Sequence, residues 1–493
     1  MREQLPALIV VVPLLAALAS PFVAYFSSTL VRLLSIAAIL VAHLSAIGSL
    51  IHALTIGTWH YHFGNWAPPW GIEYVIDPLG GAMAVLISFV SLVVVIYSGP
   101  FLKEDDWLKK GIFYTLFTLL TTGLLGMVVT GDVFNFYVFL EISSLTGYAL
   151  IAAGGHRAAV AAFRYLLIGT IGASFYLLGI GYLYSVAGSL NMADLAEKLP
   201  ALADSPVVLL AVVMFVVGLG IKMALFPLHG WQPDAYTYSH PAATALIAGV
   251  MAKVPAYATL RFFFFIIGAQ TGPVHAALQV MGWLAAAGII AGSLMAIAQK
   301  DFRRMLAYSS VAQIGYIVVG MAIGNTLGLI GAVLHIINHA IMKSCLFLIA
   351  GGVKYRTGEH SIDKYAELTS KMPLTMGAFL IAALSMVGLP PTAGFFSKWY
   401  LVLGAIEAGM WPYIIVIIIS SLLNAVYFFR IIENIYMRKA SEPVEDKVTG
   451  KPELPWQMLI PIVVLGLSIL VIGIFNEQIV SQVLQFAIPG GGQ

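Results

Sequence analysis

A glutamate, four lysines and two histidines fall within stretches that are otherwise almost wholly apolar. Glu141 lies in FNFYVFLEISSLTGY, Lys222 in VVGLGIKMALFPLHGW and Lys253 in GVMAKVPAYATL. His335, His339 and Lys343 follow one another at intervals of four, so in a helix they share one face. Lys398 comes shortly after Pro390-Pro391 and Gly394. A charge at mid-membrane depth costs about 2.5–3.5 kcal/mol on insertion scales, so a residue kept there is a functional candidate. The chemistry these side chains share is proton exchange. Desolvation favours a neutral lysine, and a carboxylate in contact favours a charged one. That attraction is about 4 kcal/mol at an effective dielectric near 20, enough to set a protonation state. Glu141 near Lys222 would hold the lysine charged, and separation would release its proton. Lys253 and the histidines would carry the proton along the bundle axis, since an imidazole can shuttle through either ring nitrogen. Lys398 would pass it to one exit.

Plainer readings stand beside this one. Snorkelling to the headgroups is the alternative for Lys343 and Lys398, and it fits Lys222 and Lys253 poorly. Arg164, Arg261 and Arg430 lie nearer span ends and are read as snorkelling, with Asp77, Asp132 and Glu433 interfacial. His335 and His339 have the i, i+4 spacing of a zinc helix, but no third ligand is evident, so no metal is assigned. His229, Asp234 and His240 fall in one loop, where they either cap helices or mark a proton entry.

The elements that must position these groups are membrane helices. The chain is 60% hydrophobic and 10% charged, with a mean hydropathy of +0.93, whereas a soluble chain carries roughly a quarter charged residues. A net charge of +2 gives no bias towards nucleic acid. The single cysteine, Cys345, excludes an intrachain disulfide or thiolate cluster. No cofactor is expected.

A spanning helix needs about 20 apolar residues. By that rule an all-α integral membrane fold has about fourteen spans, at 4–26, 30–54, 78–99, 111–131, 132–153, 159–187, 205–227, 241–267, 274–298, 305–323, 326–351, 373–409, 412–435 and 455–481. Arg2 and Ala17-Leu18-Ala19 imitate a signal peptide, but the apolar run from Leu5 is long enough to span and is read as a retained helix. Span 12 is too long for one straight crossing and is read as a broken helix, with a re-entrant hairpin as the alternative.

Loop charges orient the bundle. With the N-terminus outside, Arg32, Lys103, Lys109, Lys110, Arg157, Lys300, Arg303, Arg304, Lys354, Arg356, Lys364, Lys371, Arg438, Lys439, Lys447 and Lys451 fall in or beside cytoplasmic loops. Only Arg2 and Lys198 fall outside. Both termini are then external. The loop 55–77, with Trp59, Tyr61, Trp66, Trp70 and Pro68-Pro69, is expected at the outer interface.

Three local likenesses recur about 170 residues apart. Gly147-Tyr148 matches Gly315-Tyr316. Val217-Gly218-Leu219 with Phe226 matches Val387-Gly388-Leu389 with Phe396. Tyr257 and Arg261 match Tyr427 and Arg430. They suggest that spans 4–8 (111–267) duplicate spans 9–13 (268–435), between an N-terminal segment 1–110 and a C-terminal segment 436–493. Five helices is an odd number, so the copies lie inverted, a transporter design with sites at broken helices. Pro227 and Pro390-Pro391 predict breaks in spans 7 and 12.

These residues resemble the antiporter-like membrane subunits shared by Mrp-type sodium/proton antiporters, membrane-bound hydrogenases and respiratory complex I. The likeness covers nearly the whole chain. It is most specific in FNFYVFLEISSLTGYALI, GLGIKMALFPLHGWQPDAYTYSHPAATALIAGVMAKV, KDFRRMLAYSSVAQIGYI and GLPPTAGFFSKWYL. Within the family the chain is most similar to the D-type subunits of Mrp antiporters, or to their equivalent in a membrane-bound hydrogenase or related complex. The resemblance implies fourteen spans with inverted repeats. It implies a Glu141–Lys222 pair, a connecting Lys253, a span 11 relay of His335, His339 and Lys343, and an exit at Lys398, where some members have glutamate. The chain ends soon after span 14, without the long lateral helix of the largest complex I member.

Family members work inside complexes, so the expected partners are other membrane subunits, protons, the lipid bilayer and, as an open case, sodium, with no nucleic acid. The chain has no nucleotide loop and no redox ligands, and is expected not to be an enzyme by itself. Two readings follow: a subunit of a sodium/proton antiporter in a prokaryotic cell membrane, or a pumping module of a redox-driven complex. A membrane enzyme acting on a lipid or quinone would need a nucleophile or acid–base cluster at the interface, and none stands out.

Overall fold

The structure is a computed structural model that places residues 2–366, 368–438 and 453–489. Lys439, Lys447 and Lys451, which help to orient the chain by charge, lie outside the described residues. Among the described residues thirteen helices are long and apolar enough to cross a membrane. Span 12 adds a fourteenth crossing as two half-helices, Pro373–Val387 and Ala393–Glu407. The protein is an all-α, multi-pass membrane protein.

Burial separates an axis from a periphery. The most apolar windows of spans 8 (Pro241–Ile266), 11 (Thr326–Thr357) and 10 (Phe302–Ile323) are 100%, 94% and 89% buried. Those of spans 2 (Ser28–Thr55), 6 (His156–Ala187), 13 (Trp411–Tyr436) and 14 (Trp456–Ile474) are each only 39% buried, so these helices turn a broad face outward. Buried all round, spans 8, 10 and 11 are where a polar group can sit away from lipid. Glycines let the helices approach. A Cβ at Gly218 would lie 2.7 Å from the carbonyl of Gly172, and one at Gly292 would lie 2.8 Å from the amide of Ala312.

Both expected breaks are present. Span 7 runs Pro206–Met223 and ends where Ala224 takes a left-handed φ of 61°. The chain then turns through Pro227 into a short helix, Gln232–Tyr238. The first half of span 12 ends at Gly388, φ 94°, before Pro390-Pro391. A third interruption has no counterpart among the expected breaks. Span 8 passes through a π-helical turn at Ile247–Met251 just before Lys253, and through another at Arg261–Ile266. Pro255 supplies a cause for the first: it has no N–H to return to the carbonyl of Met251, and its ring crowds that carbonyl.

Similar caps open spans 5 and 10. Asp132 caps span 5 (Val133–Ala152) by accepting from the amide of Asn135 at 2.6 Å, and Asp301 caps span 10 by accepting from that of Arg304 at 3.0 Å. Each aspartate also pairs through its backbone with a later loop, Asp132 with Asn191 and Asp301 with Ser361. One sequence match needs correction. Ala224 corresponds to Gly388, and Pro227 to Pro391. Val217-Gly218-Leu219 therefore lies inside its half-helix, whereas Val387-Gly388-Leu389 lies at the end of its own. Replacing Asp132 with alanine is expected to lower stability by about 1 kcal/mol, read as a lower melting temperature of the purified protein.

The loop 55–77 is more ordered than its composition suggests. Trp59–His62 pairs antiparallel with Glu73–Ile76, Trp59 opposite Ile76. Glu73 is buried and accepts from Asn191 Nδ2 at 2.7 Å, with His60 Nδ1 at 2.9 Å from its other oxygen. Its carbonyl accepts from the amide of Gly131 at 3.0 Å, which fixes the hairpin over the start of span 5. Trp66 and Trp70 remain exposed, as an interfacial loop requires.

Candidate functional site

Each candidate lysine is seated by polar groups of its neighbours. Lys222, in the last turn of the first half of span 7, donates to Ser144 Oγ at 2.7 Å and to Tyr148 Oη at 3.4 Å. Glu141 Oε1 is 3.9 Å from its ammonium. Glu141 and Ser144 lie three residues apart on span 5, and Tyr148 follows four later, so one face carries all three. Lys222 is 3% exposed at its side chain and Glu141 26%. The Glu141 side chain is therefore partly exposed, although its Oε1 is buried on the side that faces the lysine, while its partner stays inside.

Lys253 follows the first π-helical turn and donates back to the carbonyl of Ala248 within it. Lys398, in the second half of span 12, donates to the carbonyls of Met386 and Val387, each at 3.0 Å, and to Ser421 Oγ at 3.1 Å. Those carbonyls end the first half-helix. The last turn of a helix has no amides of its own to pair with, and its dipole favours a cation. Lys222, Lys253 and Lys398 thus each sit at a helix interruption. Snorkelling is corrected for Lys343 and Lys398: both are buried, and their ammonium groups are held by the interior.

On span 11 the expected face is present. His335 and His339 have ring centroids 5.9 Å apart. His335 meets Ser397 Oγ through Nδ1 and Gln313 Oε1 through Nε2, both at 2.9 Å. These two bonds hold the imidazole between spans 10 and 12. Lys343 donates to Leu306 O at 2.8 Å and to Ser309 Oγ at 2.9 Å, both on span 10. His339 is fully buried, and neither ring nitrogen has a hydrogen-bond partner among the described residues. Lys253 lies within electrostatic range of His335, His339 and Lys343. The structure thus brings Lys253, the histidines, Lys343 and Lys398 into one region. It places Glu141 with Lys222 as a separate pair, whose lysine is seated on span 5 and not on Lys253.

The repeats share a feature here. Tyr148 presents its ring to Lys222, 5.8 Å from the ammonium, and Tyr316 presents its own to Lys398 at 5.1 Å. The two lysines nevertheless lie on opposite sides of their breaks, one before and one after.

The other ionisable groups have mainly structural roles. Arg261 does not snorkel. It pairs with Asp77 through two bonds of 2.5 and 2.7 Å, joining span 8 to the start of span 3 (Pro78–Tyr97). Arg164 and Arg304 both bind Asp234, at 3.0 and 3.2 Å. Arg430 caps span 9 (Gly272–Ile297) by donating to Ile297 O and Gln299 O. His229 and His240 make no side-chain cap, and the Nδ1 of each is buried without a partner among the described residues.

Sequence reasoning missed the neutral groups that surround the relay: Ser144, Ser309 and Ser421 accept from lysines, Gln313 and Ser397 bond His335, and Asn424 shares the Met386 carbonyl with Lys398. The available signal was polar side chains at helical spacing within apolar runs, as in Ser309 and Gln313 or Asn424 and Tyr427.

Residues 130–424 match the family described as NADH:quinone oxidoreductase/Mrp antiporter, TM. The chain belongs to that family. One relative within it, the N subunit of the NADH-quinone oxidoreductase of Desulforudis audaxviator, is 55% identical over 99% of both chains. Another, the D subunit of the Na(+)/H(+) antiporter of Alkalihalophilus pseudofirmus, is 33% identical over 86% of this chain and 84% of its own. Among solved structures, a chain of the membrane-bound sulfane sulfur reductase, an archaeal respiratory membrane complex, superposes with a TM-score of 0.89 at 29% identity, covering 98% of this chain and 96% of that one. The antiporter/oxidoreductase family expected from the sequence motifs is thus the one the comparisons give.

Proposed function

We propose that this chain is the proton-translocating membrane subunit of a multi-subunit sodium/proton antiporter, using Glu141, Lys222, Lys253, His335, His339, Lys343 and Lys398 as its relay. The observation that carries the reading is the set of buried cations seated at helix breaks, with one carboxylate 3.9 Å from Lys222. Carbonyls and hydroxyls hold a charged lysine but do not neutralise it, so a proton can leave without breaking an ion pair. Of the four relay lysines, Lys222 is the one with a carboxylate counter-ion in contact among the described residues, which makes it the control point. Residues 111–267 and 268–435 form the two transport units, with 1–110 and 436–493 flanking them, in a prokaryotic cell membrane with both termini outside.

Glu141 also bears on partners. A glutamate whose side chain is a quarter exposed on a membrane-spanning flank is expensive against lipid. Phe134, Val138 and Leu145 are exposed on the same face. A neighbouring membrane subunit covering this stripe would remove that expense.

A second reading has a specific observation in its favour. The 55% identical relative is named as a subunit of an NADH-quinone oxidoreductase, which supports a pumping module of a redox-driven complex. The two readings share the relay and differ in partners. The deciding experiment is a gentle detergent pull-down from native membranes with mass spectrometry of what stays bound. Small membrane subunits without redox proteins, followed by sodium-dependent proton flux, support the antiporter. Stoichiometric Fe–S or hydrogenase-type subunits replace it with the redox module. A reconstituted complex that moves no protons would overturn both.

A further inference from the structure

Span 13 contributes no residue to the proposed relay, yet it bridges the relay's last two lysines. Lys343 Nζ donates to Ser309 Oγ at 2.9 Å. Tyr427 Oη stands 2.9 Å from the same Ser309 Oγ and 2.7 Å from Asn424 Oδ1. Asn424 Nδ2 donates to Met386 O at 3.2 Å, and Met386 O also accepts from Lys398 Nζ at 3.0 Å. Lys343, Ser309, Tyr427 and Asn424 are all fully buried, and Lys398 is 6% exposed. The path is therefore sealed from solvent, and every link in it is a hydrogen bond between groups of the chain itself.

A tyrosine hydroxyl has one hydrogen and here faces two acceptors. It can donate to Ser309 or to Asn424, but not to both at once. With Lys343 charged, Ser309 Oγ already accepts a bond from the ammonium, and Asn424 is the freer acceptor. With Lys343 neutral, the Ser309 hydroxyl can turn its hydrogen to the amine and leave its oxygen open to Tyr427. The direction of the Tyr427 hydroxyl thus follows the charge on Lys343. It sets in turn how strongly Asn424 is polarised against the carbonyl that holds Lys398. An amide is a poor proton carrier, so this path transmits polarity between the two lysines and leaves proton transfer to the histidine side.

We propose that Ser309, Tyr427 and Asn424 are positioning residues that couple the protonation state of Lys343 to that of Lys398. The duplicate shows what the second repeat gained. Tyr257, the counterpart of Tyr427, bonds Val128 O at 3.2 Å and receives Arg261. Arg430, the counterpart of Arg261, turns instead to the carbonyls that end span 9, which leaves the Tyr427 hydroxyl to the polar path.

The inference rests on the relay reading, and its test separates the two. Proton flux is measured in vesicles carrying the native complex with Tyr427→Phe, Ser309→Ala, the double variant and, as the relay control, Lys398→Ala, all normalised to assembled complex. Loss of a hydrogen bond in a buried charged network is expected to lower flux about tenfold in each single variant. Because both substitutions break the same link, the double variant is expected to fall no further than the worse single one. Separate structural roles would instead multiply the losses, and that outcome overturns the coupling, as does wild-type flux in Tyr427→Phe. Should Tyr427→Phe not assemble, Asn424→Ala takes its place in the same cycle. Full flux in Lys398→Ala would overturn the relay itself, whereas a dead Lys398→Ala beside an unaffected Tyr427→Phe would remove only the coupling.

Discussion

Lys222→Ala is expected to reduce proton flux through the assembled complex by about a hundredfold or more, the scale of losing a positioned proton-transfer group. The lysine's ammonium is the one Glu141 faces, at 3.9 Å, and Ser144 and Tyr148 complete its seat. Alanine leaves two hydroxyls and a carboxylate with nothing to exchange among them. Assembly should survive. Span 7 is packed by Phe215, Leu219 and Val212, which the substitution does not touch, and Trp231 Nε1 still reaches Ile221 O at 2.9 Å. Glu141→Ala should fail in the same way, because the lysine loses the carboxylate that faces it. The measurement is acridine-dye quenching in inverted vesicles, with the complex quantified on a native gel. Normal quenching by either variant at normal complex content would remove the pair from the mechanism.

The largest effect on stability is expected at Arg261. Removing one partner of a buried, doubly bonded ion pair leaves the other uncompensated, a loss of about 3–5 kcal/mol. Arg261→Ala strands Asp77 beside the hairpin of residues 59–76, where the side chains are 14% and 15% exposed. It also removes the bonds to Tyr257 and the stacking of the guanidinium on Phe265, 4.7 Å from the ring centroid. Replacing both partners together, as Asp77→Leu with Arg261→Met, should return most of that loss, short of the helix cap that Asp77 provides at Gly80. Thermal unfolding of the purified complex, followed by aggregation or by tryptophan fluorescence, reads both variants. An Arg261→Ala protein as stable as the parent would show that the pair is solvated and weak.

These two results would separate what is legible in the sequence from what is not. Glu141 and Lys222 stand out because a charge inside an apolar run is costly and therefore informative wherever it falls. Arg261 and Asp77 are charged too, but they lie near span ends, where snorkelling explains a charge without any partner. Only the fold brings residues 184 positions apart into contact. The breaks follow the same logic. Pro227 and Pro390-Pro391 interrupt long apolar runs and announce helix ends. Pro255 sits in a helix that continues beyond it, and the π-helical turn absorbs the missing bond. The hairpin over span 5 is hidden in the sequence, since WHYH and EYVI are each only four residues long and Pro68-Pro69 lies between them. The hydroxyl and amide groups around the lysines escape notice for another reason. Serine and asparagine recur through the apolar runs of this chain, and spacing alone does not say which of them face a cation.

The main-chain seats of Lys253 and Lys398 carry a consequence for how this protein can vary. Ala248, Met386 and Val387 hold these lysines with their carbonyl oxygens, which every amino acid possesses. Point changes at those three positions alter packing but cannot delete the acceptors. The inheritable targets are instead the residues that keep the helices open there, Pro255 in span 8 and Gly388 with Pro390-Pro391 in span 12. A lineage could drift widely around the lysines and still retain their binding places, whereas a single change that let either helix close would withdraw a seat without touching a charged residue.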